Sequence, residues 1–136
     1  VGRIAKAGPL AARRWGVREG DRVAVEAIVR CGFCRACVEG NYRHCKEGLA
    51  YGTQTPADRP PHLWGAYSQY MYLAPGTSLV KLPEDLPVEL AMLCTVAISN
   101  GLRWTVLVGG AKLGDAVVVQ GVGPIGLSCV AAAKDG

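Results

Sequence analysis

No stretch of this 136-residue sequence approaches an unbroken apolar run of roughly 18 residues, so no transmembrane helix is expected. The front of the chain also lacks a basic segment followed by an apolar core. It opens at Val1 rather than Met, and no signal peptide is expected from this pattern. Internal repeats and low-complexity tracts are missing too. Charge of one sign is scarce: 15 Lys and Arg against 11 Asp and Glu leave a net +4. That excess does not by itself argue for nucleic acid or an anionic membrane. Half the residues are apolar, which excludes disorder as the main state.

What the sequence does hold is cysteine in an uneven distribution. Cys31, Cys34, Cys37 and Cys45 fall within fifteen residues, while Cys94 and Cys129 stand far away. A disulfide framework fits poorly, because crowded C-x2-C neighbours rarely reach bridging geometry. Four thiolates brought together by short loops suit a tetrahedral Zn2+, with Gly32 and Gly40 turning the backbone between ligands. An iron–sulfur cluster and free thiols are the rivals. The ferredoxin pattern wants its fourth Cys sooner and followed by Pro, whereas Lys46 follows Cys45 here. Four thiolates around Zn2+ leave net negative charge, which Arg30, Arg35, Arg43 and Lys46 are placed to offset. Such a site has no open position and is structural. The thiolates imply a reducing compartment, most simply the cytoplasm.

Residues 20–29 read as a turn and a strand, with the four-Cys lobe (31–45) as an excursion from its end. Residues 46–65 read as loop, 66–74 and 78–82 as strands. The first two-thirds are therefore mainly β. Pro87–Leu93 then reads as a short helix, and 95–108 continue it until Gly109–Gly110. Lys112–Asp115 is a turn. Ala116–Gln120 is a continuous run rich in β-branched residues, expected as a strand buried on both faces of a parallel sheet. The boundary between the two parts is placed near residue 94.

Gly121-Val122-Gly123-Pro124-Ile125-Gly126 follows that run and precedes an apolar helical pattern. In this context the glycines have separate tasks: Gly121 the tight turn, Gly123 close approach of a pyrophosphate, Gly126 close packing of helix on strand. Pro124 suits a first helical position, and free N–H groups with the helix dipole would face the phosphates through Ile125 and Gly126. An ordinary tight βα turn is the plain alternative. A helix opened this way normally leads into another strand, so the chain reads as a piece of a longer protein.

These pieces in this order resemble the zinc-dependent alcohol dehydrogenases of the medium-chain dehydrogenase/reductase superfamily. The four-Cys spacing is the most specific match. The G-x-G-x-x-G loop downstream, the opening Val1–Gly8, Gly20-Asp21-Arg22-Val23 and Gly65–Tyr70 also resemble family segments. The resemblance implies an α/β-plus-β architecture: a partial GroES-like β-rich catalytic domain over 1–94, then the first βα unit of a Rossmann domain over 95–136. It implies hydride transfer between an alcohol or polyol (or the corresponding carbonyl compound) and NAD or NADP. A catalytic zinc would act there as Lewis acid on the substrate oxygen, in a homo-oligomeric parent with no nucleic-acid or membrane partner. Cys94 stands where the family places a ligand of that zinc; otherwise it is a buried small residue. The family's other ligands, a His three residues before Val1 and a more N-terminal Cys, are not in this sequence, so the chain by itself is expected to be inactive, with no catalytic residue of its own. Cys129 reads as core, His44 and His62 as surface residues, and Trp15, Trp64 and Trp104 as packing. Arg13, Arg14 and Arg18 read as a solvated turn. The competing classes are a zinc-ribbon module that binds nucleic acid or protein, and a non-catalytic remnant that keeps the fold.

Overall fold

A computed structural model describes residues 1–135. The chain divides into two compact units, Gly2–Leu82 and the residues from Pro83 onward.

In the first unit Gly20, at φ +88°, turns the chain into strand β2, Arg22–Val25. β2 is the centre of a three-stranded antiparallel sheet, with β1 (Gly2–Arg3) on one side and β5 (Leu79–Lys81) on the other. Val23 stands opposite Gly2 on β1 and Lys81 on β5. It is 2% exposed and packs with Ile4 and Val17, while Trp15, Leu73 and Leu79 close over them half-buried. Each fully buried aliphatic side chain of this kind contributes roughly 1.5–3 kcal/mol. Helix α1, Pro9–Trp15, begins at a Pro and ends at Gly16, whose φ of +64° gives the left-handed cap.

A second, two-stranded sheet joins β3 (Ile28–Val29) to β4 (Leu49–Ala50). Its core is Val29, Tyr51, Trp64 and Ala74. Trp64 lies 6.2 Å from the Tyr51 ring, nearly stacked, and meets Tyr72 edge-on at 5.4 Å. The Tyr51 hydroxyl accepts from the Ala74 N–H at 2.8 Å and shares a hydrogen bond with Thr77 Oγ1 at 2.5 Å.

Several expectations need correction here. The strand expected over 20–29 is two strands, because the Glu26 side chain takes the Ile28 N–H at 3.2 Å and breaks the ladder. Residues 66–74 form no strand. Tyr72 N–H goes to Leu63 O and Ala74 N–H to a side chain, so the ladder partners are taken by the loop. Arg13 and Arg14 belong to the last turn of α1, and Arg18 pairs with Asp21, so the three do not form one solvated turn.

In the second unit α3 (Val88–Leu93) follows Pro87, which caps it rather than entering it. Helical backbone then runs on through a wide π-type turn at Cys94–Ile98, α4 (Ser99–Leu102) and a second π-type segment at Arg103–Val108. The boundary expected near residue 94 thus falls inside continuous helix. Val88–Val108 is also long and apolar enough to cross a membrane, judged by length and composition alone. A search for unbroken apolar runs passes over it, because Thr95, Ser99, Asn100 and Arg103 interrupt the stretch. Gly101 presses on the backbone of Ser128, where a Cβ would come within 2.6 Å, so α4 crosses close to α5 (Pro124–Asp135). The turn at Lys112–Asp115 forms as expected, with Lys112 N–H on the Asp115 carboxylate at 2.8 Å. Ala116–Gln120 makes no strand ladder among the described residues. A strand buried in a parallel sheet needs neighbours to take its backbone groups, and none of the described strands lies in this unit.

Candidate functional site

The sulfur cluster is built by short-range geometry. β3 delivers the chain to Cys31, and Gly32 at φ +89° turns it back so that the Cys34 N–H points at Cys31 Sγ, 3.4 Å away. Cys34 caps the one-turn helix α2, Arg35–Val38, which carries Cys37. Gly40 at φ +82° leads into a 3-10 turn, Tyr42–His44, that ends at Cys45. Gly48 lets the chain leave beneath the cluster: a Cβ there would come within 2.7 Å of Val29 O and 3.4 Å of Cys45 Sγ.

All four sulfurs lie within 4.8 Å of one another, and all four residues are half-buried. Cys31 Sγ to Cys37 Sγ and Cys34 Sγ to Cys45 Sγ are both 3.8 Å. A regular tetrahedron with metal–sulfur bonds of about 2.3 Å has edges of about 3.8 Å. A disulfide, at about 2.05 Å, is far shorter. The backbone N–H of Phe33 and then that of Cys34 lower the Cys31 thiol to about 6. Burial foremost pushes Cys37 up to about 12. The two sulfurs are thus pushed in opposite directions although they lie 3.8 Å apart, a split that a thiolate-bound dication would remove. The donor set fits zinc.

The surrounding charges are arranged differently from the sequence expectation. Arg35 is engaged with Glu39 at 2.7 Å on the exposed face of α2. Arg30 lies 5.5 Å from the Tyr42 ring centre. Tyr42 in turn donates to Glu26 Oε2 at 3.0 Å. This Glu26–Tyr42–Arg30 hinge clamps the lobe to the end of β2. Sequence reasoning missed it, because a contact sixteen residues apart leaves no periodic signal.

In the glycine loop, Gly121 has φ +98°. A Cβ on Gly126 would collide with Gly121 O, with the Val119 side chain 3.7 Å away. A Cβ on Gly123 would meet nothing within 4 Å. The loop is thus tight where it turns, close where α5 packs and open at Gly123. Pro124 is the first residue of α5, Ile125 is half-buried, and Leu127 N–H returns to Gly123 O at 2.9 Å. The open glycine at the start of a twelve-residue helix fits the pyrophosphate of a dinucleotide.

Other sequence-selected residues are not gathered. Cys94 is exposed rather than buried, and among the described residues it joins no group of metal-binding side chains. Cys129 is half-buried. His44 is exposed and outside the sulfur cluster. His62 is exposed in its loop, with Nδ1 3.2 Å from Ala57 O. Trp64 is buried and Trp15 half-buried, but Trp104 is 50% exposed.

Residues 1–84 match the alcohol dehydrogenase GroES-like domain. A probable alcohol dehydrogenase of Mycobacterium tuberculosis is 47% identical over 137 aligned residues, covering 98% of this chain and 37% of that protein. Erythritol/L-threitol dehydrogenase of Mycolicibacterium smegmatis is 38% identical, covering 98% of this chain and 35% of the relative. The crystal structure of an alcohol dehydrogenase from Thermotoga maritima superposes with a TM-score of 0.77 at 27% identity, covering 88% of this chain and 33% of that one. The chain therefore spans about a third of the length of these relatives.

Proposed function

The chain belongs to the alcohol dehydrogenase GroES-like domain family, and from that membership we propose that it works in a zinc-dependent oxidoreductase moving a hydride between an alcohol or polyol and NAD(P). The observation that carries this reading is the gathering of the Cys31, Cys34, Cys37 and Cys45 sulfurs within 4.8 Å of one another, two pairs of them at 3.8 Å, within a chain of this family. Those four residues would hold a zinc that staples the lobe, with every coordination position filled by protein. Gly121, Gly123, Pro124, Ile125 and Gly126 would hold the dinucleotide pyrophosphate, Gly123 by leaving room for the phosphates and Gly126 by keeping α5 close. When bound, NAD(P) supplies the hydride acceptor or donor. We propose that Cys94, exposed on its helix, would be one ligand of a second, catalytic zinc, which would supply Lewis acidity. Its companion ligands are not among the described residues, so this chain by itself is proposed not to turn substrate over. Substrates are small alcohols or carbonyl compounds, and the working protein is proposed to be a cytoplasmic homo-oligomer. The zinc-ribbon alternative is not favoured, because it leaves the glycine loop and α5 without a task.

The test replaces zinc with Co2+ and records thiolate charge-transfer absorption together with metal content. One tightly held ion per chain with four-sulfur bands is expected, and Cys45→Ser should abolish those bands. An iron–sulfur chromophore, or a chain that takes up no dication, sinks the reading.

A further inference from the structure

Gly2–Leu82 carries twelve Lys and Arg against six Asp and Glu, so the positive excess of the chain resides in this unit. A cleft of about 250 Å3 opens on it, lined by Arg14, Trp15, Arg30, Gly76, Ser78 and Leu79. Two contacts assemble this cleft. From one side the Trp15 indole N–H donates to Thr77 O at 3.0 Å, tying the last turn of α1 to the turn before β5. From the other side Gly76, at φ +90°, comes so close to the Arg30 carbonyl oxygen that a Cβ would collide with it. Between them Thr77 is 3% exposed, with its hydroxyl held by Tyr51 and by Ala74 O at 2.7 Å. The backbone is therefore pinned where the two arginines emerge.

Among the described residues neither Arg14 nor Arg30 pairs with a carboxylate, whereas Arg18, Arg35 and Lys81 all do. Arg30 is restrained by lying over the Tyr42 ring, which leaves its in-plane donors available. The Ser78 hydroxyl makes no hydrogen bond among the described residues and offers a further donor beside them. Trp15 and Leu79 supply an apolar wall, against which a charged contact is screened less than in open water.

We propose that this cleft is a binding site for a phosphate group, carried by inorganic phosphate or by a small phosphate ester. Two guanidinium forks match the charge of a phosphate dianion and can each take two of its oxygens. A monocarboxylate would satisfy only one of them. The ligand would bridge α1 and the residue that follows β3.

The experiment follows the Trp15 indole resonance of the isotope-labelled full chain. Sodium phosphate and glycerol 3-phosphate are each titrated against sodium chloride at matched ionic strength. A saturable shift with the phosphates and none with chloride is expected. Arg14→Gln and Arg30→Gln should each weaken binding about tenfold or more. Arg13→Gln, on the same helix but outside the cleft, should leave it unchanged. Tighter binding of the ester assigns the site to an organic phosphate seated on Trp15 and Leu79, and equal binding assigns it to the free ion. The proposal is overturned if chloride reproduces the shift, or if Arg13→Gln weakens binding as much as Arg14→Gln, since either shows a diffuse charge effect. Should Arg30→Gln lose its folded spectrum, Arg30→Lys keeps the charge without the fork, and unchanged affinity in that variant overturns the proposal as well.

Discussion

Gly123 and Gly126 stand three residues apart, yet their surroundings demand different things of them. A methyl group on Gly126 points into the Gly121 carbonyl, a backbone atom that cannot swing aside, while one on Gly123 enters open space. Gly126→Ala should therefore destabilise the chain by roughly 1–3 kcal/mol, and Gly123→Ala should change stability little. Urea denaturation of the two variants checks this; equal stabilities contradict it. The sequence made both glycines visible, because their spacing after a β-rich run is a recognisable pattern. Which of the two is sterically compelled became visible only with the carbonyl in place. Cys94 shows the converse: its position in the chain suggested a ligand or a buried residue, and only its exposure in the structure excludes the second.

At the scale of elements, the four-Cys lobe is held by its own turns and by the Tyr42 hydroxyl on Glu26. The spacing of the cysteines foretold the cluster, since ligands three residues apart can meet only through tight local turns. The anchor to Glu26 depends on where β2 ends and could not be foretold. Tyr42→Phe removes that bond, whose acceptor is a carboxylate, at a cost of about 1–3 kcal/mol. Zinc transfer to a chromogenic chelator should then be faster than from the unaltered chain, with metal stoichiometry unchanged. Identical release rates would show that the lobe needs no anchor. Ala116–Gln120 failed as an expected strand for a reason at the same scale. A β-branched run specifies a strand only when neighbours accept its ladder, and the described residues of its unit provide none.

Across the whole molecule, the buried side chains are unevenly shared. Ile4, Val17, Val23, Val29, Tyr51, Trp64 and Ala74 lie in Gly2–Leu82, while the second unit buries only Ala91 and Ala97 among the described hydrophobic residues. Asp21 is a polar tie in the first unit, accepting from the Arg18 N–H at 2.9 Å and pairing with Lys81 on β5 at 2.9 Å. The Arg18 backbone N–H first, and then Lys81, hold its carboxyl below the ordinary 3.8. The folded chain thus takes up this proton less readily than the unfolded one. Its contribution to stability is complete above the unfolded value and is lost as pH falls through the folded value. Urea midpoints measured from roughly pH 5 to pH 2 should fall on this account, and Asp21→Asn should flatten that decline. An equally steep decline in the variant places the acid sensitivity elsewhere. By itself the sequence determined the sulfur cluster, the glycine turn and the helices from Val88 and Pro124, because each depends on residues near one another in the chain. Tertiary structure alone decided the Tyr42–Glu26 anchor, the Tyr51–Thr77–Ala74 network and the cleft between Arg14 and Arg30. In each of these the partner lies far along the chain, and its identity is set by which backbone groups are already taken.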